Sequence, residues 1–196
     1  SFGFMASSLS QLVVDLKQGG LDKFKNVSQE FGSDVDLTEL MTRKGIYPYS
    51  FMDSFDKFDI DPLTLTKSDF RNDLTGEDIS DGDYEFYKAI CEKFAMKTLG
   101  EYHDLYLKSD VLLLADVFEN FRETCFQYYK LDPAHYYSAP GLSWNACLKM
   151  TGIELELISD VDMYLMIEKG LRGGMSVITH RKAVANNKYM SSYDPD

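Results

Sequence analysis

Between residues 106 and 121 apolar side chains recur at three- and four-residue spacing, and one carboxylate falls among them. With Tyr106 at zero and about 100° per residue, Leu113 lies at about 340°, Val117 at about 20° and Phe121 at about 60°. Leu114, Leu107 and Phe118 extend the arc from about 80° to about 120°, and Asp110, at about 40°, sits inside it. Ser109, Asp116, Glu119, Asn120 and Glu123 gather on the opposite side, with Leu112 the one apolar exception. Asp116 is therefore expected to be an ordinary solvated acid. A desolvated carboxylate is unfavourable unless paired or bound to a metal. Asp110 needs a reason to be there: a helix cap, a basic partner on another segment, or a metal ion.

The same periodicity predicts helices over residues 9–16, stopping at Gly19-Gly20, and over residues 35–41. Tyr47 to Pro62 reads as an aromatic-rich loop punctuated by Pro and Asp, its rings pinning it to the core. Ser80-Asp81-Gly82-Asp83 caps a helix over residues 80–97 that Gly100 closes. The helix carrying Tyr106 and Asp110 is expected to reach about residue 128, and further helices cover 142–150 and 161–170. Residues 175–180 alternate apolar and polar, which predicts a strand.

The chain is 196 residues long and 44% hydrophobic, enough for a substantial core in one or two compact units. No apolar run is long enough to suggest a membrane span and no signal peptide is present, so an intracellular setting is the default. Cys91, Cys125 and Cys147 are widely spaced and odd in number, which suits buried free thiols. His103, His135 and His180 pair with no cysteine at metal-ligand spacing, and nothing supports a Cys-His nucleophile. The net charge of −12 opposes general nucleic-acid binding. It is unevenly spread, however. Residues 53–85 carry eleven acids against three bases, whereas residues 169–190 carry five bases and no acid. A phosphate contact is credible only in that last stretch, where a solvated basic surface accounts for the charge equally well.

The segment Glu101-Tyr102-His103-Asp104-Leu105-Tyr106-Leu107-Lys108-Ser109-Asp110-Val111-Leu112-Leu113-Leu114-Ala115-Asp116-Val117-Phe118 resembles the third exonuclease motif, Tyr-x-x-x-Asp, of the B-family DNA polymerases. The likeness is greatest to the protein-primed branch of phages, linear plasmids and Polinton/Maverick transposons. Ser1-Phe2-Gly3-Phe4-Met5-Ala6-Ser7-Ser8-Leu9-Ser10-Gln11-Leu12 is similar to the stretch after the second exonuclease motif, where a Ser-hydrophobic pair contacts the single-stranded primer end. Lys44-Gly45-Ile46-Tyr47-Pro48-Tyr49 is similar to the segment carrying a catalytic Lys, with a longer spacing to Tyr106. Leu171-Arg172-Gly173-Gly174 stands where the family has Tyr-x-Gly-Gly, with Leu171 replacing the Tyr. The segment from Leu131 to Trp144 is similar to the transposon-type members. The ordering of these segments carries the resemblance.

What the resemblance implies is an α+β chain, mostly helical. It would be the C-terminal part of an RNase H-like 3′–5′ exonuclease domain over residues 1–130, with an acidic insertion at about 53–85. A connector into the polymerase palm would follow over residues 131–196. Asp110 would be the metal ligand, Tyr106 and Lys44 its catalytic companions. Ser1, Phe2, Arg172, Gly173, Gly174, Arg181 and Lys182 would contact DNA. The implied cofactor is Mg2+, and the implied partners are a DNA primer-template, deoxynucleotides and a terminal protein that primes, with no membrane. The first two exonuclease motifs would precede residue 1 and the palm aspartates would follow residue 196. The chain is therefore expected to be an internal fragment, inactive by itself.

The residues have their own logic beside the likeness. Two-metal hydrolysis needs several converging carboxylates and a group that positions water. Tyr106 and Asp110, four apart on a helix, supply one of each. Arg172-Gly173-Gly174 offers a phosphate fork beside a backbone that a ligand can approach, or simply a helix cap. Phe2 suits stacking on a base, or core packing. The rival to the whole polymerase reading is a non-catalytic interaction module in which Asp110 is a structural ion-pair partner.

Overall fold

In the computed structural model, residues 3–32, 35–171, 173–175, 177 and 179–195 are described. Seven α-helices follow one another: α1 (Leu9–Gln18), α2 (Lys25–Phe31), α3 (Val35–Met41), α4 (Asp81–Lys93), α5 (Leu99–Tyr129), α6 (Ala139–Thr151) and α7 (Val161–Gly170). Short 3-10 turns lie between them, among them Phe55–Asp59 and Pro62–Thr64 in the aromatic-rich loop. The described residues contain no strand, so the architecture is mostly helical and the β component expected at residues 175–180 is not seen. Met175, Val177, Thr179 and His180 have no regular structure, and Ser176 and Ile178 lie outside the described residues. Alternation alone does not make a strand. A strand needs a neighbour to satisfy its backbone groups, and the described residues of 154–195 contain no strand.

The chain divides into two compact units, Ser1–Ile153 and Glu154–Asp196. Residues 131–153, assigned to the connector on sequence grounds, belong with the first unit.

In the first unit α5 is the spine against which α1 and α2 pack. Thr98 caps its start. The Thr98 hydroxyl accepts from Glu101 N at 3.3 Å, while the Glu101 carboxylate takes the amides of Lys97, at 2.7 Å, and Thr98. This Thr-x-x-Glu box overrides Gly100, which was expected to close the preceding helix and instead lies in the first turn of α5. α4 ends earlier, where Ala95 takes a left-handed conformation (φ 49°) and Met96 N reaches back to Cys91 O at 2.9 Å. Its start follows expectation, with Ser80 accepting from Asp83 N at 3.1 Å. The α1 boundary at Gly19-Gly20 also holds. There Gly20, at φ 109°, is the residue that uses glycine's freedom.

As far as Val117 the buried face of α5 is Leu99, Tyr102, Ser109, Leu113, Asp116 and Val117, a three-four repeat around which Val13, Leu16, Phe24, Val27, Tyr87 and Ile90 assemble, and Cys125 is buried beyond it. Each such apolar side chain contributes about 1.5–3 kcal/mol on leaving water. This face is rotated by about 80° from the arc the apolar residues define. Leu107 and Val111 are more than half exposed, whereas Ser109 and Asp116 are buried. Leu112, the apolar exception in the sequence pattern, packs against the core.

Asp116 explains the rotation. Its carboxylate accepts from Asn26 N (2.8 Å), Asn26 Nδ2 (2.7 Å) and Val27 N (3.1 Å), closing the first turn of α2 from outside that helix. α2 begins at Phe24 with no capping side chain of its own, and Asp116 takes that place. The expectation of a solvated acid is therefore corrected. Cys91 and Cys125 are buried free thiols, but Cys147 is exposed, contrary to expectation, because it projects from the open side of α6.

In the second unit α7 starts at Asp160, whose side chain accepts from Met163 N at 2.9 Å. Its apolar residues Val161, Met163, Tyr164, Leu165, Met166 and Ile167 are all exposed. No helix among the described residues is long and apolar enough to cross a membrane.

Candidate functional site

Three of the residues singled out in sequence, Lys44, Tyr106 and Asp110, meet where the segment following α3 lies along α5. Tyr102, Tyr106 and Asp110 stand one turn apart on α5, and residues 44–49 run beside them. The Tyr102 hydroxyl donates to the carbonyl of Ile46. Tyr47 shares a hydrogen bond with His103 Nδ1 at 2.7 Å, and the Tyr49 and Tyr106 hydroxyls are 2.6 Å apart. The Tyr47 and Tyr106 rings lie 4.9 Å apart at 32°. Gly45 permits this closeness: a Cβ there would sit 2.7 Å from Tyr106 Cδ2.

Asp110 is half-buried at the edge of this arrangement. Its Oδ1 is shielded from water and has no hydrogen-bond partner in the structure. Burial pushes its carboxyl above the ordinary value, against the charge of Lys44 and a hydrogen bond from Tyr106, which act the other way. Lys44 is thus close enough to be felt, yet no ion pair joins Asp110 to a base among the described residues. Burial also raises the Tyr106 phenol, reinforced by its bond to Tyr49 and by the charge of Asp110. Tyr106 therefore stays protonated and able to donate at neutral pH.

The folded chain holds the Asp110 proton more tightly than the unfolded chain does. Its contribution to stability is complete below the unfolded value of about 4 and fades as pH rises through the folded value. Asp110→Asn is accordingly expected to raise the urea midpoint at pH 7 and to change it little at pH 4. Equal shifts at both pH values would contradict a desolvated carboxylate.

Sequence reasoning identified Lys44, Tyr106 and Asp110 but missed Gly45, Tyr47 and Tyr49 as their supports. The Tyr47-Pro48-Tyr49 spacing, with Pro48 buried, was the available signal. An aromatic cleft lined by Tyr47, Tyr49, Met52, Phe55, Phe58 and His103 adjoins the same segment. Its rings were expected to pin the loop, and Tyr47 does so. Tyr49 and Phe55 are 67% and 87% exposed, too open for that role alone.

Of the DNA-contact candidates, Ser1, Phe2 and Arg172 lie outside the described residues. Gly173, Gly174, Arg181 and Lys182 are exposed in the second unit, and a Cβ at either glycine would meet nothing within 4 Å. Leu171, not a glycine, is the C-cap of α7. Among the described residues no three His, Cys, Asp or Glu side chains form a group able to hold a metal ion. No family model matches the chain, and no curated protein or solved structure matches it.

Proposed function

We propose that this chain contributes one edge of a metal-dependent 3′–5′ exonuclease site in a DNA polymerase of the protein-primed B family. Residues 1–130 would belong to an RNase H-like proofreading domain and the remainder would lead toward the palm. The observation that carries the reading is the unpartnered buried oxygen of Asp110 beside Tyr106 and Lys44. A structural acid would have its lone pairs taken, as those of Asp116 are. The rival reading, a structural ion pair at Asp110 in an interaction module, lacks a base within bonding distance among the described residues.

A lone carboxylate fits one ligand position of a Mg2+ site and no more, so the other acids must come from elsewhere in the polypeptide. Bound there, Mg2+ would activate water and neutralise the scissile phosphate. Within this chain Asp110 supplies an anionic oxygen, Tyr106 presents a hydroxyl that orients water, and Lys44 offsets negative charge nearby. The primer-template, the deoxynucleotides and a priming terminal protein belong to the same proposal. Ser1, Phe2, Arg172, Gly173, Gly174, Arg181 and Lys182 are its DNA contacts.

Translation of the adjoining DNA is expected to reveal an Asp-x-Glu pair upstream and an Asp-x-x-x-Leu-Tyr motif downstream. The polypeptide containing them should shorten a mismatched primer in Mg2+, and Asp110→Ala should slow that shortening by at least about 100-fold while leaving primer extension intact. Unchanged shortening by Asp110→Ala would refute the exonuclease reading.

A further inference from the structure

We propose that Tyr49 is a positioning residue that fixes the direction in which the Tyr106 hydroxyl points its proton. The inference rests on the exonuclease reading for its purpose, but its physical content concerns three groups alone. A phenol has one proton to give and lone pairs with which to accept. Tyr106 bonds the Tyr49 hydroxyl at 2.6 Å, and the Asp110 carboxyl stands one helical turn on, close enough to act on the Tyr106 phenol. An ionised carboxylate only accepts. With Asp110 ionised, a Tyr106 proton turned toward it leaves the 2.6 Å contact to be satisfied by donation from Tyr49. The chain of bonds runs one way, from Tyr49 through Tyr106 to Asp110.

The rest of the segment makes this a clamp. Gly45 presses its backbone against one edge of the Tyr106 ring, and Tyr47 lies against the ring with its own hydroxyl held by His103. With the ring so confined, rotation of the hydroxyl is the freedom that remains, and Tyr49 removes it. Tyr49 meets Tyr106 nearly edge-on, at 85°, and Tyr47 at 5.1 Å, with its ring two-thirds exposed and its hydroxyl turned to Tyr106.

The test uses the 196-residue chain with tyrosine labelled by carbon-13 at Cζ, where slow hydroxyl exchange splits the signal in mixed H2O and D2O. Tyr106→Phe identifies the Tyr106 signal. Tyr49→Phe keeps the ring and deletes the hydroxyl. Exchange at Tyr106 is expected to accelerate by about 10-fold, as suits loss of one hydrogen bond, while the urea midpoint moves little. Unchanged exchange at Tyr106 in Tyr49→Phe would overturn the proposal. The readout needs no catalysis. Coupled hydroxyls in a polymerase whose end removal survives Asp110→Ala would sink the exonuclease reading and leave the coupling standing. Uncoupled hydroxyls with end removal lost in Asp110→Ala would do the reverse.

Discussion

Asp116→Ala is expected to destabilise the chain by roughly 3–4 kcal/mol, the largest effect of any single polar substitution considered for it. Three donors lose their acceptor at once, namely the amides of Asn26 and Val27 and the Asn26 side chain. Water from the adjoining polar cleft can reach the Asn26 donors, but not readily Val27 N, because Val27 and Phe24 are wholly buried. Asp116→Asn should fall between, since a carboxamide keeps one accepting oxygen but turns a donor toward donors. Urea unfolding measures the loss. Amide exchange over the first turn of α2 should accelerate most, because α2 has no other cap. A loss below about 1 kcal/mol for Asp116→Ala would show that these amides find other partners.

Gly45→Ala is the second large effect. Gly45 does not need an unusual backbone angle; it needs room. An added methyl would lie 2.7 Å from Cδ2 and 3.2 Å from Cε2 of Tyr106, and this part of the ring, near its root, cannot swing aside without moving α5. Overpacking of this kind costs about 1–3 kcal/mol. The stability change should accompany a local one: the 2.6 Å contact between Tyr49 and Tyr106 must lengthen, so Gly45→Ala should resemble Tyr49→Phe in hydroxyl exchange while being less stable than it. In a polymerase with working end removal, the same substitution should lower proofreading before polymerisation. A variant with wild-type stability and an unaltered Tyr106 signal would mean that residues 44–49 are free to move off α5.

Local signals in the sequence were reliable where short-range chemistry decides the outcome. Ser80 with Asp83, and the apolar rows of α3 and α7, located these elements because caps and helical periods act within a few residues. The pairing of Lys44 with Tyr106 and Asp110 was legible only through the family resemblance, because more than one element separates them along the chain. Two things were not legible. The Thr98-Glu101 box was hidden by Gly100, a residue that usually ends helices and here merely occupies the first turn. The orientation of α5 was misjudged because hydrophobicity was taken to name the buried face. One buried acid with three donors outweighed two apolar residues, Leu107 and Val111, that were left in solvent. Leu107 and Val111 are therefore surfaces on which further polypeptide could rest.

Asp110 and Asp116 lie six residues apart on α5 and have opposite fates. Had the helix turned its greasiest side inward, Asp110 would have been carried into the interior, where only a salt bridge or a proton could keep it. By gripping α2, Asp116 joins Leu99, Tyr102, Leu113 and Val117 in holding one side of the helix inward, and Asp110 stays at the margin. One acid is spent on holding α2, and the other keeps an oxygen that no group takes up among the described residues. A substitution at Asp116 mild enough to let the chain fold would be felt at Asp110, through a few degrees of helix rotation and with no contact between the two.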